Sequence, residues 1–533
     1  PRAGEREAGD RDEILPHPRG GTKDPVVQRS AAGKSAAPAP QALTSVGSFD
    51  GPSNGAQGFN VSSAPPDPNS AVGPTAIMTS VNSVFMVQGK NGAVLMNPTA
   101  GNTMFAGFGG ACQNTNDGDP IVRYDRLADR WLYSQFAIGQ GQPFYECVAV
   151  STTGDPLGTW NRYSFSFGSS FPDYPKIGVW PDGYYATYNM FANGADWAGS
   201  KVCAMDRVRM LAGQAATQQC FDIADLGYGG LLPSDLDGAT PPPTGAPNVI
   251  VGMGLTNVTI ASWGLHVDWA NPANSSLTQY PDMNVAAYTP AACAAGGSLD
   301  CVPQVGTPQV LDTMGDRLMN RLAYRNFGTY QSLVVNQSVN ASGAYAPPYG
   351  VRWYEFRMPG GVPALHQQGT YAPDAKSRWM GSAAMDRNGN LALGYSTSGT
   401  TGTDYPSLAA TGRLAGDAAG TLTQPESQLV AGGGSQTATL ARWGDYSSMN
   451  IDPADDCTFW FTGEYLAASG KFNWHTRIAA FRMPGCTTAP AVTGMSPTFG
   501  LAGTTVTITG TDLSSPTSVS FGGVQATTFT GAS

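Results

Sequence analysis

The side chains best suited to chemistry stand at matching places in a recurring segment: Asp119, Asp173, Asn320 with Arg321, Trp379, and Asp445 with Tyr446. Each lies a few residues ahead of an Asp/Gly/Asn turn, and Arg378, Arg442 and Trp443 stand beside them. Carboxylates and guanidinium groups hydrogen-bond hydroxyl or uronate groups, while Trp and Tyr faces pack on pyranose rings, so the set suits a carbohydrate. Two kinds of catalysis are open to it. A glycosidase needs two carboxyls roughly 5 to 10 Å apart, one with a raised pKa, and Asp119, Asp173 and Asp445 are the candidates. In the other form Tyr446 is the nucleophile, and Arg321, Arg378 and Arg442 grip a substrate carboxylate. The plainer alternative is that Asp caps a turn and buried Arg–Asp pairs stitch strands together.

Asn114, Asn116, Asp117 and Asp119 form an oxygen-rich run that would suit calcium. The run lacks the twelve-residue loop with a terminal Glu, so an Asx-rich turn is the competing reading, and no other cofactor is indicated. Ser234–Gly238 is a weaker run of the same kind. The four histidines, His17, His266, His366 and His475, are too scattered for a zinc protease or a recognisable hydrolase triad. Gly432–Gly434 is not followed by the Lys-Ser/Thr and helix of a phosphate cradle. Glu464 falls in a strand after its turn, which places it away from the other candidates.

These residues must be positioned by strands. Apolar strand, Asp/Gly/Asn turn and second strand return at 120–133, 174–187, 321–330, 382–393 and 448–460, with less regular copies at 72–97 and 248–280. Repeated hairpins of this type write the blades of a β-propeller, and residues just ahead of each innermost strand would then surround one axial pocket. A composition with 67 Gly and 40 Pro but only 13% charged residues agrees with many short strands and tight turns. The expected fold is all-β: a propeller of about seven blades over residues 46–486, six or eight blades or a β-sandwich being the alternatives, with the excess length in loops such as 235–247, 289–307 and 397–412. Residues 1–45 hold few large apolar side chains and read as a disordered leader or pro-segment.

The net charge of −10 opposes nucleic acid and anionic membranes, and no apolar stretch approaches the roughly 20 residues that span a bilayer. The eight cysteines fall as neighbours: Cys112 and Cys147, Cys203 and Cys220, Cys293 and Cys301, Cys457 and Cys486. Nearest-neighbour disulfides are the economical reading, with free buried thiols as the alternative. Disulfides would imply an extracellular or cell-surface location.

After Cys486 the pattern changes. Met495-Ser-Pro-Thr-Phe-Gly500, Gly503-Thr-Thr-Val-Thr-Ile-Thr-Gly510 and Val519-Ser-Phe-Gly-Gly523 closely resemble the IPT/TIG family of immunoglobulin-like domains. Val506, Ile508, Val519 and Phe521 alternate with small polar residues as half-buried strands do. The resemblance implies the start of an immunoglobulin-like β-sandwich over 487–533. Such a domain needs roughly 80 to 100 residues, so the expectation is that the native chain continues or that self-association completes the sheet. Gly118-Asp-Pro-Ile-Val-Arg-Tyr-Asp125 and Trp443-Gly-Asp-Tyr-Ser447 more loosely resemble uncharacterised secreted bacterial proteins with sialidase-like propellers. No Ser-x-Asp-x-Gly-x-x-Trp box is present, so that resemblance transfers no catalytic residue.

The first functional expectation is binding of an extracellular polysaccharide or surface glycan through the axial face. Glycoside hydrolysis or polysaccharide elimination at the same pocket is the second, and a structural role in adhesion or filament assembly the third.

Overall fold

A computed structural model describes residues 15–16, 21–29, 42–61, 63–139, 141–295, 297–486, 491–501, 503–511, 519–521 and 524–529. The chain is almost all-β, built from many small antiparallel sheets. Asn69–Val72, Ala76–Val81, Val84–Gly89 and Val94–Ala100 form the first four-stranded sheet. Gly118–Asp125, Arg130–Ala137, Phe144–Ser151 and Trp160–Gly168 form the second, and Ser170–Val179, Tyr184–Ala192, Asp196–Met205 and Gln218–Asp222 the third. The fourth unit runs through Leu232–Asp237, Asn248–Met253, Thr259–His266 and Ser276–Gln279. Leu318–Asn326, Gln331–Asn340, Tyr349–Arg357 and Ala364–Tyr371 make the fifth. Ser377–Met385, Leu391–Ser398, Ser407–Arg413 and Ser427–Val430 make the sixth. In the last unit Ser448–Ile451, Thr458–Leu466 and Trp474–Arg482 are joined by Thr44–Asp50 from the other end of the chain.

The first strand of each unit lies beside the first strand of the next, and that of the last returns to Asn69–Val72. Leu232–Asp237 and Leu318–Asn326 approach closely enough to pair in parallel, Ser234 opposite Leu322. Close approach also explains Gly178, where a Cβ would come within 2.3 Å of the Ser234 carbonyl oxygen. Apolar residues from adjacent sheets fill the space between them. One such cluster holds Ile177, Tyr174, Trp379, Met380, Trp443 and Tyr446.

All the repeated hairpins lie on strands, but three loop assignments are corrected. Leu232–Asp237 is a strand that begins ahead of the proposed 235–247 loop. Its polar sequence hides it, because Asp235 and Asp237 are buried against Arg123 and Arg321 instead of facing water. The proposed 397–412 loop contains most of Ser407–Arg413, and 289–307 contains Asp300–Val302. Within the stretch expected to be disordered, Val27–Gln28 adds in parallel to Ala364–Tyr371, and Asp24 forms a buried ion pair with Arg352 at 2.7 Å. The remainder of 1–41 lies largely outside the described residues.

The four neighbour pairings of cysteine are all present as disulfides. Cys203 and Cys220 sit directly opposite one another on paired strands. Four disulfides fit an oxidising, extracellular environment. Among the described residues no helix is long and apolar enough to cross a membrane.

In the C-terminal segment, Ala491–Ser496 pairs with Thr507–Thr511, and Ser520–Phe521 pairs with Val524–Gln525. Val506, Ile508 and Val519 are half-buried as their alternation implies, whereas Phe521 is exposed.

Candidate functional site at the strand entries

A shared irregularity aims side chains inward at the start of several first strands. The ladder shifts register between Gly118 and Ile121, Asp173 and Lys176, Met319 and Ala323, and Trp379 and Ser382. A bulge of this kind bends a strand and redirects the side chains within it. Asp119, Tyr174 and Met380 occupy the bulges with φ of 47°, 52° and 49°, and Asp67, ahead of the first sheet, has φ 48°. Non-glycine residues rarely adopt this left-handed conformation, so its recurrence marks a constrained site.

Lys176 stands at the centre. Its ammonium lies 3.3 Å from the Tyr174 ring centroid and 4.1 Å from that of Tyr446, and donates to the Pro175 carbonyl at 3.0 Å. Burial pushes its pKa down to about 7, against the opposing pull of Asp119, Asp445 and Asp67. The three carboxylates are linked through backbone and amide groups. The Asp445 N–H donates to Asp67 Oδ1 at 2.7 Å, and Asn82 donates to Asp67 Oδ2 at 2.7 Å while accepting from the Asp119 N–H at 3.0 Å. Arg442 pairs with Asp445 at 2.6 Å. Arg317, clamped by Asp316 at 2.7 Å, lies 4.6 Å from the centroid of Tyr174.

Two glutamates complete the group. Burial pushes Glu146 up to about 8, with Asp119 adding and Lys176 opposing. Glu464 accepts from the Gly444 N–H at 2.7 Å through Oε2, and burial, with Asp67 and Asp445 adding, holds its pKa well above the usual carboxylate range. Burial likewise raises Tyr446 far above the ordinary phenol range, reinforced by Asp119, Asp67 and Asp445. Tyr446 is therefore a neutral hydroxyl here, not a ready nucleophile. Its oxygen and Glu464 Oε1 are buried without a hydrogen-bond partner among the described residues, whereas the Ser134 hydroxyl faces Glu146 and opposes the effect of burial there. The arrangement combines protonated acids, carboxylates and an amine poised near neutrality.

Of the residues expected at the site, Asp119, Asp445, Tyr446 and Arg442 converge. Asp173 does not join them: by register it corresponds to Gly118, and Tyr174 takes the place of Asp119. A slip of one residue exchanges the faces of a strand. One carboxyl oxygen of Asp173 is buried without a partner among the described residues. Trp379 is displaced in the same way, Met380 taking the bulge position. Trp379 and Trp443 are fully buried with centroids 5.8 Å apart, in the same apolar cluster as Tyr174 and Tyr446.

Arg321 reaches Asp235 at 3.2 Å and Asp237 at 2.5 Å. With Arg123 and Arg126 it lines a separate cavity of about 30 Å³. Arg378 is held by Asp374 at 2.8 Å and Glu426 at 2.7 Å within the sixth sheet. Both arginines are thus engaged in ion pairs, as the stitching alternative describes.

The oxygen-rich run ties neighbouring segments together. Asp117 accepts from the N–H groups of Ile138 and Gly139 at 2.6 and 2.8 Å, and Asn116 spans Asn102 and Ser83. Asn114 closes the short helix Gly110–Asn114, while Asp119 faces Lys176 electrostatically. Among the described residues no group of three or more His, Cys, Asp or Glu side chains is arranged to hold a metal ion.

Lys176, Asp67, Glu146 and Arg317 escaped the sequence reading, and Glu464, assigned away from the site, belongs to it. The dipeptides Asp67-Pro68, Asp119-Pro120 and Tyr174-Pro175 were a usable signal, since proline restricts the residue before it.

Residues 490–533 match the IPT/TIG domain family. No curated protein matches the chain. Among solved structures, a Trypanosoma rangeli sialidase is similar at 9% identity and TM-score 0.31, the match covering 69% of this chain and 55% of that one. A Dyadobacter fermentans protein of unknown function has 10% identity and TM-score 0.37 over 83% of this chain and 99% of its own. An endo-arabinase from Bacteroides thetaiotaomicron has 13% identity and TM-score 0.28, covering 54% and 92%. The likeness to a known family is thus confined to the C-terminal segment, residues 490–533, which is similar to IPT/TIG domains.

Proposed function

We propose that the chain is a secreted or cell-surface seven-bladed β-propeller, residues 46–486 with the strand from Thr44, whose axial cluster around Lys176 binds an extracellular carbohydrate polymer. The closed succession of first strands supports the architecture. The observation that carries the function is the pair of unpartnered buried polar atoms on Tyr446 and Glu464 within the cluster of Lys176, Asp119 and Asp445. Each such atom costs about 1–3 kcal/mol, and a hydroxyl-rich ligand supplies the missing donors and acceptors together. Asp119 and Asp445 accept from sugar hydroxyls, protonated Glu146 and Glu464 donate, and Arg442 and Arg317 favour an acidic sugar. The IPT/TIG-like segment begins a stalk or array, with self-association through its sheet edges as a further role.

Elimination or hydrolysis is the second reading, favoured by an acid at about 8 and an amine at about 7 in one cluster. Environments that separate two titrating groups in this way can supply the acid and base of one reaction. In elimination, Lys176 takes the proton beside a uronate carboxyl, the C–O bond to the next sugar breaks, and Glu146 protonates the leaving oxygen. A glycan array run beside turnover assays on neutral and acidic polysaccharides tests both readings. Binding that Asp119→Ala and Asp445→Ala each weaken supports the first, and an unsaturated product lost in Lys176→Met supports elimination. Absence of binding and turnover on every sugar rejects both.

A further inference from the structure

Phe108 is 39% exposed, yet the loop that carries it is firmly built. Gly107 and Gly109 turn the chain at φ of 80° and 82°, a conformation that suits glycine. The side-chain oxygen of Gln113 accepts from both of their N–H groups at 2.9 Å. Gln113 belongs to the short helix Gly110–Asn114, which the Cys112–Cys147 disulfide fastens to the strand Phe144–Ser151. The fold therefore holds an aromatic ring out in water on a braced support.

Phe108 lines an open cleft of about 350 Å³ at the outer edge of the second sheet. Residues 160–163, the start of the outermost strand Trp160–Gly168, run through it with side chains alternating between two faces. Arg162 donates to the Ala106 carbonyl and so ties the strand to the Phe108 loop. On the other face Asn161 and Tyr163 both donate to the Met210 carbonyl, at 3.1 and 2.9 Å. That bond pair fixes the end of the helix Arg207–Leu211, after which 213–215 complete the lining. Both sides of the cleft are thus bonded to the strand between them.

The lining suits a sugar that carries a negative charge. Phe108 and the half-buried Trp160 offer ring faces to the C–H face of a pyranose. Gln214 is exposed, and Asn161, whose amide nitrogen is engaged with Met210, keeps an oxygen that can accept from a hydroxyl. Arg162 has further N–H groups beyond the one on Ala106, and a guanidinium pairs well with a carboxylate. No Asp or Glu lines the cleft, so in a chain of net charge −10 an anionic ligand meets a cation here without a carboxylate beside it. The volume falls in the range of small-ligand sites, roughly 300–1,000 Å³.

We infer that this cleft is a second carbohydrate site that takes a uronate unit of an acidic polysaccharide. The rings stack on the sugar, Arg162 pairs with its carboxylate, and Asn161 and Gln214 bond its hydroxyls. The site stands apart from the axial cluster: it lies on the last strand of the second sheet, whereas Lys176 lies on the first strand of the third. Its openness lets a polymer reach it directly.

Hydroxyl-radical footprinting of the full chain, followed by peptide mass spectrometry, reads Phe108 and Trp160 themselves. The probes are hexamers of galacturonate, mannuronate and guluronate, a hyaluronate hexasaccharide, and cellohexaose as the neutral control, each at millimolar concentration. Phe499, 86% exposed in the C-terminal segment, is the reference. The expected result is protection of Phe108 and Trp160, but not Phe499, by at least one acidic oligosaccharide and not by cellohexaose. Half-maximal protection of Trp160 should need about tenfold more oligosaccharide in Phe108→Ala and in Arg162→Gln, a change of about 1.4 kcal/mol in binding. Arg162→Gln also removes the tie to the loop, so Gln214→Glu, which sets a carboxylate in the cleft at an exposed position, tests the charge separately and should weaken protection as much. Unchanged oxidation of Phe108 and Trp160 with every acidic probe, equal protection by cellohexaose, or undiminished protection in Gln214→Glu overturns the proposal. Because the readout sits in the cleft, an axial cluster that binds no sugar leaves this result intact.

Discussion

At the residue scale, the behaviour of the site follows from burying opposite charges around one amine. Asp119 is the strongest of the carboxylates that keep Lys176 protonated. Asp119→Asn should lower the Lys176 pKa further below about 7, which the pH profile of its acylation rate would show; an unchanged or raised pKa contradicts the electrostatic assignment. Glu146 gives a second prediction. Its folded pKa of about 8 exceeds the ordinary 4.5, so the folded state binds the extra proton between those values. Its favourable contribution is complete below pH 4.5, declines as pH rises, and is lost above about 8. Glu146→Gln should flatten that decline and leave the protein more stable than the parent in alkaline solution by about 2 kcal/mol or more. Denaturant titrations at several pH values check it. A parallel pH dependence in parent and variant would mean that Glu146 ionises normally.

At the scale of elements, the bulge explains both the success and the failure of sequence reading. Asp119 and Tyr446 were legible because charged or aromatic residues recur at the strand entries. Asp173 and Trp379 were each one position off, because a bulge inserts a residue that no turn motif announces. The strand Leu232–Asp237 was obscured by the same physics that holds the first strands together, buried carboxylates meeting buried guanidinium groups. Lys176 was invisible because its partners come from distant sheets. The disulfides were readable as neighbours, and they make a graded prediction. Cys112–Cys147 closes a separation of 35 residues and Cys293–Cys301 one of 8. Replacing either pair with Ser should cost about 2–4 kcal/mol, with the longer loop the more costly by about 1 kcal/mol on loop-closure entropy. Chemical unfolding of the two double variants checks the order. Closure by Thr44–Asp50 depends partly on Phe49, whose ring lies 6.2 Å from that of Trp460. Phe49→Ala should destabilise the protein by about 2 kcal/mol, seen as a lower urea midpoint with an unchanged slope.

At the scale of the whole molecule, the four disulfides suit an extracellular setting, while the Lys176 cluster gathers where the first strands begin. The sequence suggested that concentration through repetition, but which residues meet depended on the closed succession of strands. Lys176, Asp119 and Asp445 come from three sheets, and no local pattern could reveal their meeting. The same closure makes access the controlling question, since Lys176, Asp119, Asp445, Tyr446 and Glu464 are buried. The most direct measurement is calorimetric titration of the parent chain and of its Asp119→Ala and Asp445→Ala variants against the acidic and neutral polysaccharides of the screening panel. The account predicts saturable binding to at least one polymer that the added substitutions weaken by about tenfold or more. Binding that both substitutions leave unchanged, or no binding to any polymer by the folded parent chain, would contradict it.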